Sequence, residues 1–196
     1  MTHRQLGLML ALCAGAACAT LQQIAALRQV RFDLAGVRNG RLAGVDLSRV
    51  RSYTDLHTVD IGRIALAVAR KDLPLNFTVD ISALNPPENQ VTARMVRMAW
   101  TLLLNDKETI SGVVDTALTL PPGTAVGIPM VMRLNLYQFF DGPAQSMVDL
   151  AASIAGVSGS PTRIAIRAVP TIDTPIGPIQ YPSPITIVSR TVGGPR

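Results

Sequence analysis

Leu75-Asn76-Phe77-Thr78-Val79-Asp80-Ile81-Ser82-Ala83 decides the fold class. Large apolar side chains fall on every second residue, with amide, hydroxyl or carboxylate groups between them. Successive strand side chains point to opposite faces, so this is a β-strand with one face in a core and one towards water. Working outward, Val30, Phe32 and Leu34 alternate with Arg31, Asp33 and Ala35. Val126, Ile128, Met130, Met132, Leu134 and Leu136 form another long alternating face. Ile110–Leu120 continues the pattern more weakly, and later strands are read at Ile164–Val169 and Ile185–Val188. In Val91–Leu104 the apolar phase is odd through Met95 and even from Val96 to Leu104. That slip of one residue predicts a β-bulge at Met95–Val96. Ile64, Leu66 and Val68 alternate with Ala65, Ala67 and Ala69, which reads as a strand apolar on both faces with something packed close on the alanine side.

One segment breaks the period. Met147, Leu150, Ala151 and Ile154 stand at helical spacing, with Pro143 at the start and Gly156 as a stop, which predicts a helix over Pro143–Ala155. Short helical stretches are read at Thr20–Leu27 and Ser48–Leu56. Turns are read at Asn39-Gly40, Asn85-Pro86-Pro87, Pro121-Pro122-Gly123 and Ser158-Gly159-Ser160. Fourteen prolines and fifteen glycines, spread along the chain, suit short strands joined by turns. Hydrophobic residues are 48% of the chain but aromatics 4%, so the core is aliphatic. The expected fold is all-β: an immunoglobulin-like antiparallel sandwich of about eight strands with one inserted helix.

The first residues read as an address. Arg4 precedes the apolar run Leu6–Leu12, which is too short to span a bilayer, and Gly15-Ala16-Ala17-Cys18 follows. This run resembles a lipobox, with signal cleavage before Cys18 and lipid on its thiol; Gly15 stands where Leu or Val is usual. Cys13, preceded by bulky Leu12, fits less well, and no cysteine occurs after Cys18. Ala19 in the next position resembles an outer-membrane sorting signal. The expected organisation is a signal peptide over 1–17, a lipidated tether over 18–27, one domain over 28–190 and a flexible tail over 191–196.

The formal charge of +5 falls to +4 without Arg4, 17 basic against 13 acidic residues, and the basic residues are scattered singly. A nucleic-acid reader clusters them with stacking aromatics, so no nucleic-acid partner is expected. His57 is the one histidine after the address, which argues against a zinc site or a serine triad. Neither an Asp-x-Asp calcium loop nor a glycine-rich phosphate loop occurs. Asp106-Lys107-Glu108 reads as a hairpin tip. No enzyme activity, metal or cofactor is expected. Two features are candidates for ligand or partner contact: adaptable Met95, Met98, Met130, Met132 and Met147, also read as core packing, and an exposed tip formed by Asn85–Gln90, with Asn85 and Pro86 foremost, and the Pro121–Gly123 turn.

The order of elements resembles the late embryogenesis abundant (LEA) type 2 family, also called the water-stress and hypersensitive-response domain. The residues that carry it are Asn85-Pro86-Pro87-Glu88-Asn89, close to that family's Asn-Pro-Asn turn but without its third position. With them goes the closing stretch Asp173-Thr174-Pro175-Ile176-Gly177-Pro178-Ile179. The resemblance spans Leu27–Val188. It implies a sandwich of seven or more strands without enzymatic activity, a role in desiccation or stress protection, and a capacity to bind lipid. The expected function is thus a membrane-anchored protective or envelope-stabilising lipoprotein on the periplasmic face of the outer membrane. The alternatives are a lipid or hydrophobic-ligand binding module, or an adaptor for an envelope protein.

Overall fold

A computed structural model describes residues 21–140, 143–155 and 161–192. The address with Cys18, Gly156 and the Ser158-Gly159-Ser160 turn lie outside the described residues. Helix α1 (residues 21–29) leads into β1 (Arg31–Leu42) and the two-residue β2 (Val45–Asp46). After a short 3-10 turn come α2 (Thr58–Ala69), β3 (Pro74–Leu84), β4 (Ala93–Leu104), β5 (Lys107–Val114), β6 (Leu118–Leu120) and β7 (Ala125–Asn135). Then follow α3 (Ala144–Ile154), β8 (Thr162–Ile172), β9 (Ile179–Gln180) and β10 (Ile185–Val192).

The strands form two antiparallel sheets. One has the order β2-β1-β3-β7. The other runs β10-β8-β4-β5, with β6 continuing along β4 beyond β5 and β9 on β8. The sheets share one apolar cluster, so the fold is the expected β-sandwich. Phe77 at 2% exposure and Leu75, Val79, Ile81 and Ala83 at 0% form the inward face of β3, as their alternation requires. The bulge in β4 is where the phase slip put it: the pairing with β8 shifts register between Met95 and Arg97, leaving Val96 over. Helix α3 also forms as read, with Pro143 at its N-cap.

Four expectations are corrected. The Ile64–Arg70 segment is the second half of helix α2, not a strand. Ile64 is buried while Ile61 and Val68 are partly so, at spacings of three and four, and alanine is the best helix former. Asn39-Gly40 is not a turn but a bulge inside β1. The pairing with β3 slips between Arg38 and Arg41, and Asn39 takes φ 57°. Gly40 is required there by close approach, since a Cβ would stand 2.7 Å from that of Ala155 at the end of α3. The Ile110–Leu120 strand is broken into β5 and β6. Residues 21–27 are helical, as the reading of Thr20–Leu27 has it, but they pack on the domain as part of α1 instead of forming a tether, with Ala26 and Leu27 buried at 1% and 2% exposure. The described residues thus hold ten strands and three α-helices, seven of the strands having eight or more residues.

The molecule is polarised. The end where β1 and β4 start and β3 and β8 finish carries α1. At the other end β4 and β5 join in a hairpin, Asn105 and Asp106 taking the left-handed conformation (φ 49° and 64°) that a tight hairpin turn needs.

Candidate functional site

At the α1 end the two asparagines of the Asn85-Pro86-Pro87-Glu88-Asn89 turn form a closed network. The Asn85 amide donates to the carbonyls of Val91 (3.1 Å) and Leu120 (2.7 Å) and accepts from Asn89 Nδ2 (2.6 Å). Asn89 also donates to the Ala26 carbonyl of α1 (2.9 Å) and accepts from the Val91 N–H. The Asn85 backbone closes on the 121–124 turn, donating to the Thr124 carbonyl and accepting from Gly123 N–H at 2.8 Å. Asn85 is 0% exposed, Asn89 is 4% exposed and Pro86 is buried. The expected exposed tip is therefore corrected at Asn85, Pro86 and Asn89: Pro87, Glu88, Gln90, Pro121 and Gly123 face water, while the asparagines tie their turn to α1 and to the 120–124 segment. All four amide N–H donors of the pair are spent on protein carbonyls, in a site closed to water.

Helix α1 is held by more than this network. Both ends of the Gln23 amide bond to the start of β4, at the Thr92 carbonyl (3.2 Å) and Arg94 N–H (3.3 Å). Arg28 donates to the Tyr181 hydroxyl at 2.9 Å. Beside it, the 173–178 turn is closed by Thr174 Oγ1 donating to the Gly177 carbonyl and anchored by Asp173 N–H on the Arg94 carbonyl.

Met130 and Met132 lie on the inward face of β7, 1% and 0% exposed, and pack in the core; Met95, Met98 and Met147 are equally buried. The hollows lie elsewhere. One of about 360 Å³ at the hairpin end has Leu104, Leu136, Phe139, Phe140 and Leu150 in its wall and Lys107 on its rim. A more open groove of about 480 Å³ crosses the outward face of the larger sheet, over Thr101, Ser111, Val113 and Arg167. Helix α2 leaves a partly apolar face to water, with Val59 66% and Leu66 52% exposed.

Charges are few and superficial. Arg38 makes a two-pronged pair with Asp80 across β1 and β3, and that hydrogen bond and charge raise the guanidinium pKa further. The Ser48 N–H, at 2.8 Å, and the Ser48 hydroxyl hold the Asp46 carboxyl below its usual range, with Arg41 and Arg49 adding to the effect. Asp106 and Glu108 at the hairpin tip pair with Arg163 (3.5 Å) and Arg167 (3.1 Å). His57 is the exposed N-cap residue of α2. Among the described residues, no three His, Cys, Asp or Glu side chains gather as a metal site, and no helix is long and apolar enough to cross a membrane.

No family model and no curated protein matches the chain. Among solved structures it is similar to a crystal structure of a protein from Archaeoglobus fulgidus, at 14% identity and a TM-score of 0.36, over 63% of this chain and 87% of that one. It is also similar to the solution structure of a protein provisionally described as late embryogenesis abundant (LEA), at 10% identity and a TM-score of 0.38, over 97% and 86% of the two chains. At these scores neither likeness decides family or function.

Proposed function

We propose that this chain is a bacterial lipoprotein: a non-enzymatic β-sandwich of the LEA type 2 kind, held by lipid on Cys18 at the periplasmic face of the outer membrane. Its role is protective or envelope-stabilising. The observation that carries the reading is the run Leu6–Leu12 followed by Gly15-Ala16-Ala17-Cys18, the last cysteine of the sequence. Acyl chains on that residue hold through burial of their methylenes, about 0.8 kcal/mol each. The LEA type 2 resemblance of the 85–89 turn and the 173–179 stretch supports the rest. Intact mass of the membrane-extracted protein tests it. A chain starting at Cys18 with added acyl mass is expected, and Cys18→Ala leaves the membrane fraction; an unmodified soluble chain overturns it.

A second reading, a module for lipids or other hydrophobic ligands, is favoured by the aromatic-walled hollow at Phe139 and Phe140. Its size falls within the range of small-molecule pockets, roughly 300–1,000 Å³. Lipid recovered with the chain beyond its covalent anchor, and lost in Phe139→Asp, is the outcome that would establish it. Unchanged recovery in the variant removes it.

A further inference from the structure

We infer that the α1 end of the sandwich is a membrane-contacting surface: the domain stands on the bilayer that holds Cys18, with α1, the 85–90 turn and the 173–178 turn against the headgroups. The inference rests on the proposed acylation and adds an orientation to it. Leu21 is three residue steps from Cys18, a reach of at most about 11 Å at ~3.6 Å per residue. Strands of eleven or twelve residues make the sandwich roughly 36–40 Å long at ~3.3 Å each. A free tether over 18–27 would let the domain swing, but α1 cannot. Ala26 and Leu27 are buried, the Gln23 amide is fixed at both ends, and Asn89 holds the Ala26 carbonyl.

The chemistry of this end suits a headgroup layer. Leu21 and Ile176 are large aliphatic side chains exposed at 65% and 66%. Ile176 sits in a turn tied to β4 beside Gln23, the side chain that anchors α1. Exposed Arg28, Arg31 and Arg94 stand here against Glu88 and Asp173, a small excess of positive charge facing the bilayer. The opposite end presents the charged hairpin Asp106-Lys107-Glu108. The rival lipid contact is the exposed face of α2 with Val59 and Leu66, which leads into the hairpin-end start of β3.

Acylated Cys18 does not react with thiol reagents, and Cys13 belongs to the removed segment, so an introduced cysteine can be labelled alone. Ile176→Cys and Leu66→Cys, each carrying a thiol-linked fluorophore, are placed in the full acylated chain. The chain is reconstituted in phosphatidylethanolamine–phosphatidylglycerol vesicles containing a nitroxide-labelled lipid. Several-fold stronger quenching at position 176 than at 66 is expected. Equal quenching means a domain that tumbles on its anchor, and stronger quenching at 66 means one lying on α2; either overturns the orientation. Intact mass of the same sample separates the two levels. A chain without acyl groups defeats the anchoring and the orientation together, whereas an acylated chain with a flat or reversed profile defeats the orientation alone.

Discussion

Asn85 carries more of this fold than any charged residue does. Its side chain closes carbonyls from two loops and the amide of Asn89, in a place water does not reach. Asn85→Ala leaves those partners unpaired, and a buried orphan group costs about 1–3 kcal/mol. A loss of about 3 kcal/mol in urea unfolding is expected. Asn85→Asp, which cannot donate to the Val91 and Leu120 carbonyls, is expected to be at least as harmful. Gly112 is a second such position. It pairs with Trp100, whose indole lies over it so closely that a Cβ would sit 2.7 Å from Cε2. Gly112→Val is expected to lower stability by about 1–3 kcal/mol, the usual cost of overpacking. As Trp100 is the one tryptophan, its emission should shift to the red as the ring is pushed out. Asp46 gives a pH dependence with a definite sign. Its folded pKa is below its unfolded one, so its contribution is present above the ordinary carboxylate range and is lost as pH falls through the folded value. The stability gap between the native chain and Asp46→Asn should therefore shrink between neutral pH and about pH 3.

At the scale of elements, α1 is the part whose docking most affects the candidate surface. Leu27→Ala removes a side chain exposed at 2%. It is expected to cost about 2–5 kcal/mol and to raise amide exchange in the 85–91 turn, which the helix covers. The strand β3 was legible because a single face decides it, and the bulge of β4 because a phase slip is visible in any alternating run. Helix α2 was not legible: large residues alternating with alanines fit a strand as well as a helix with Ile61, Ile64 and Val68 inward. The docking partners that choose between them lie in distant segments. Asn85 and Asn89, expected within an exposed tip over 85–90, were misplaced for the same reason, since the Ala26 and Leu120 carbonyls that pair with them are far away in sequence. The alternation of Met130 and Met132 gave their face correctly, but whether that face meets a ligand or a second sheet is decided only by how the sheets stack.

For the whole molecule, the open sheet edges set how it behaves among its own copies. Strand β7 is the last of its sheet, with one pairing partner and eleven residues. Pro129 near its middle lacks an N–H, and with exposed Arg133 it makes this edge a poor template for another strand. Pro129→Val should shift the protein towards dimers and larger species in size-exclusion chromatography as concentration rises; an unchanged elution profile would mean that other features guard the edge.

The polarity of the fold has a mechanical consequence. Tension applied at residue 21, where the proposed anchor on Cys18 would pull, passes along α1 and into β1, which lies inside its sheet and is bonded along its length to β3. The helix is fastened by a few side-chain bonds that load in turn, so it peels first, as a zip does. The strand behind it is pulled along its own axis, and its cross-strand bonds share the load in shear. A chain pulled this way is expected to give at its α1 end under a small force and then hold, keeping its core closed.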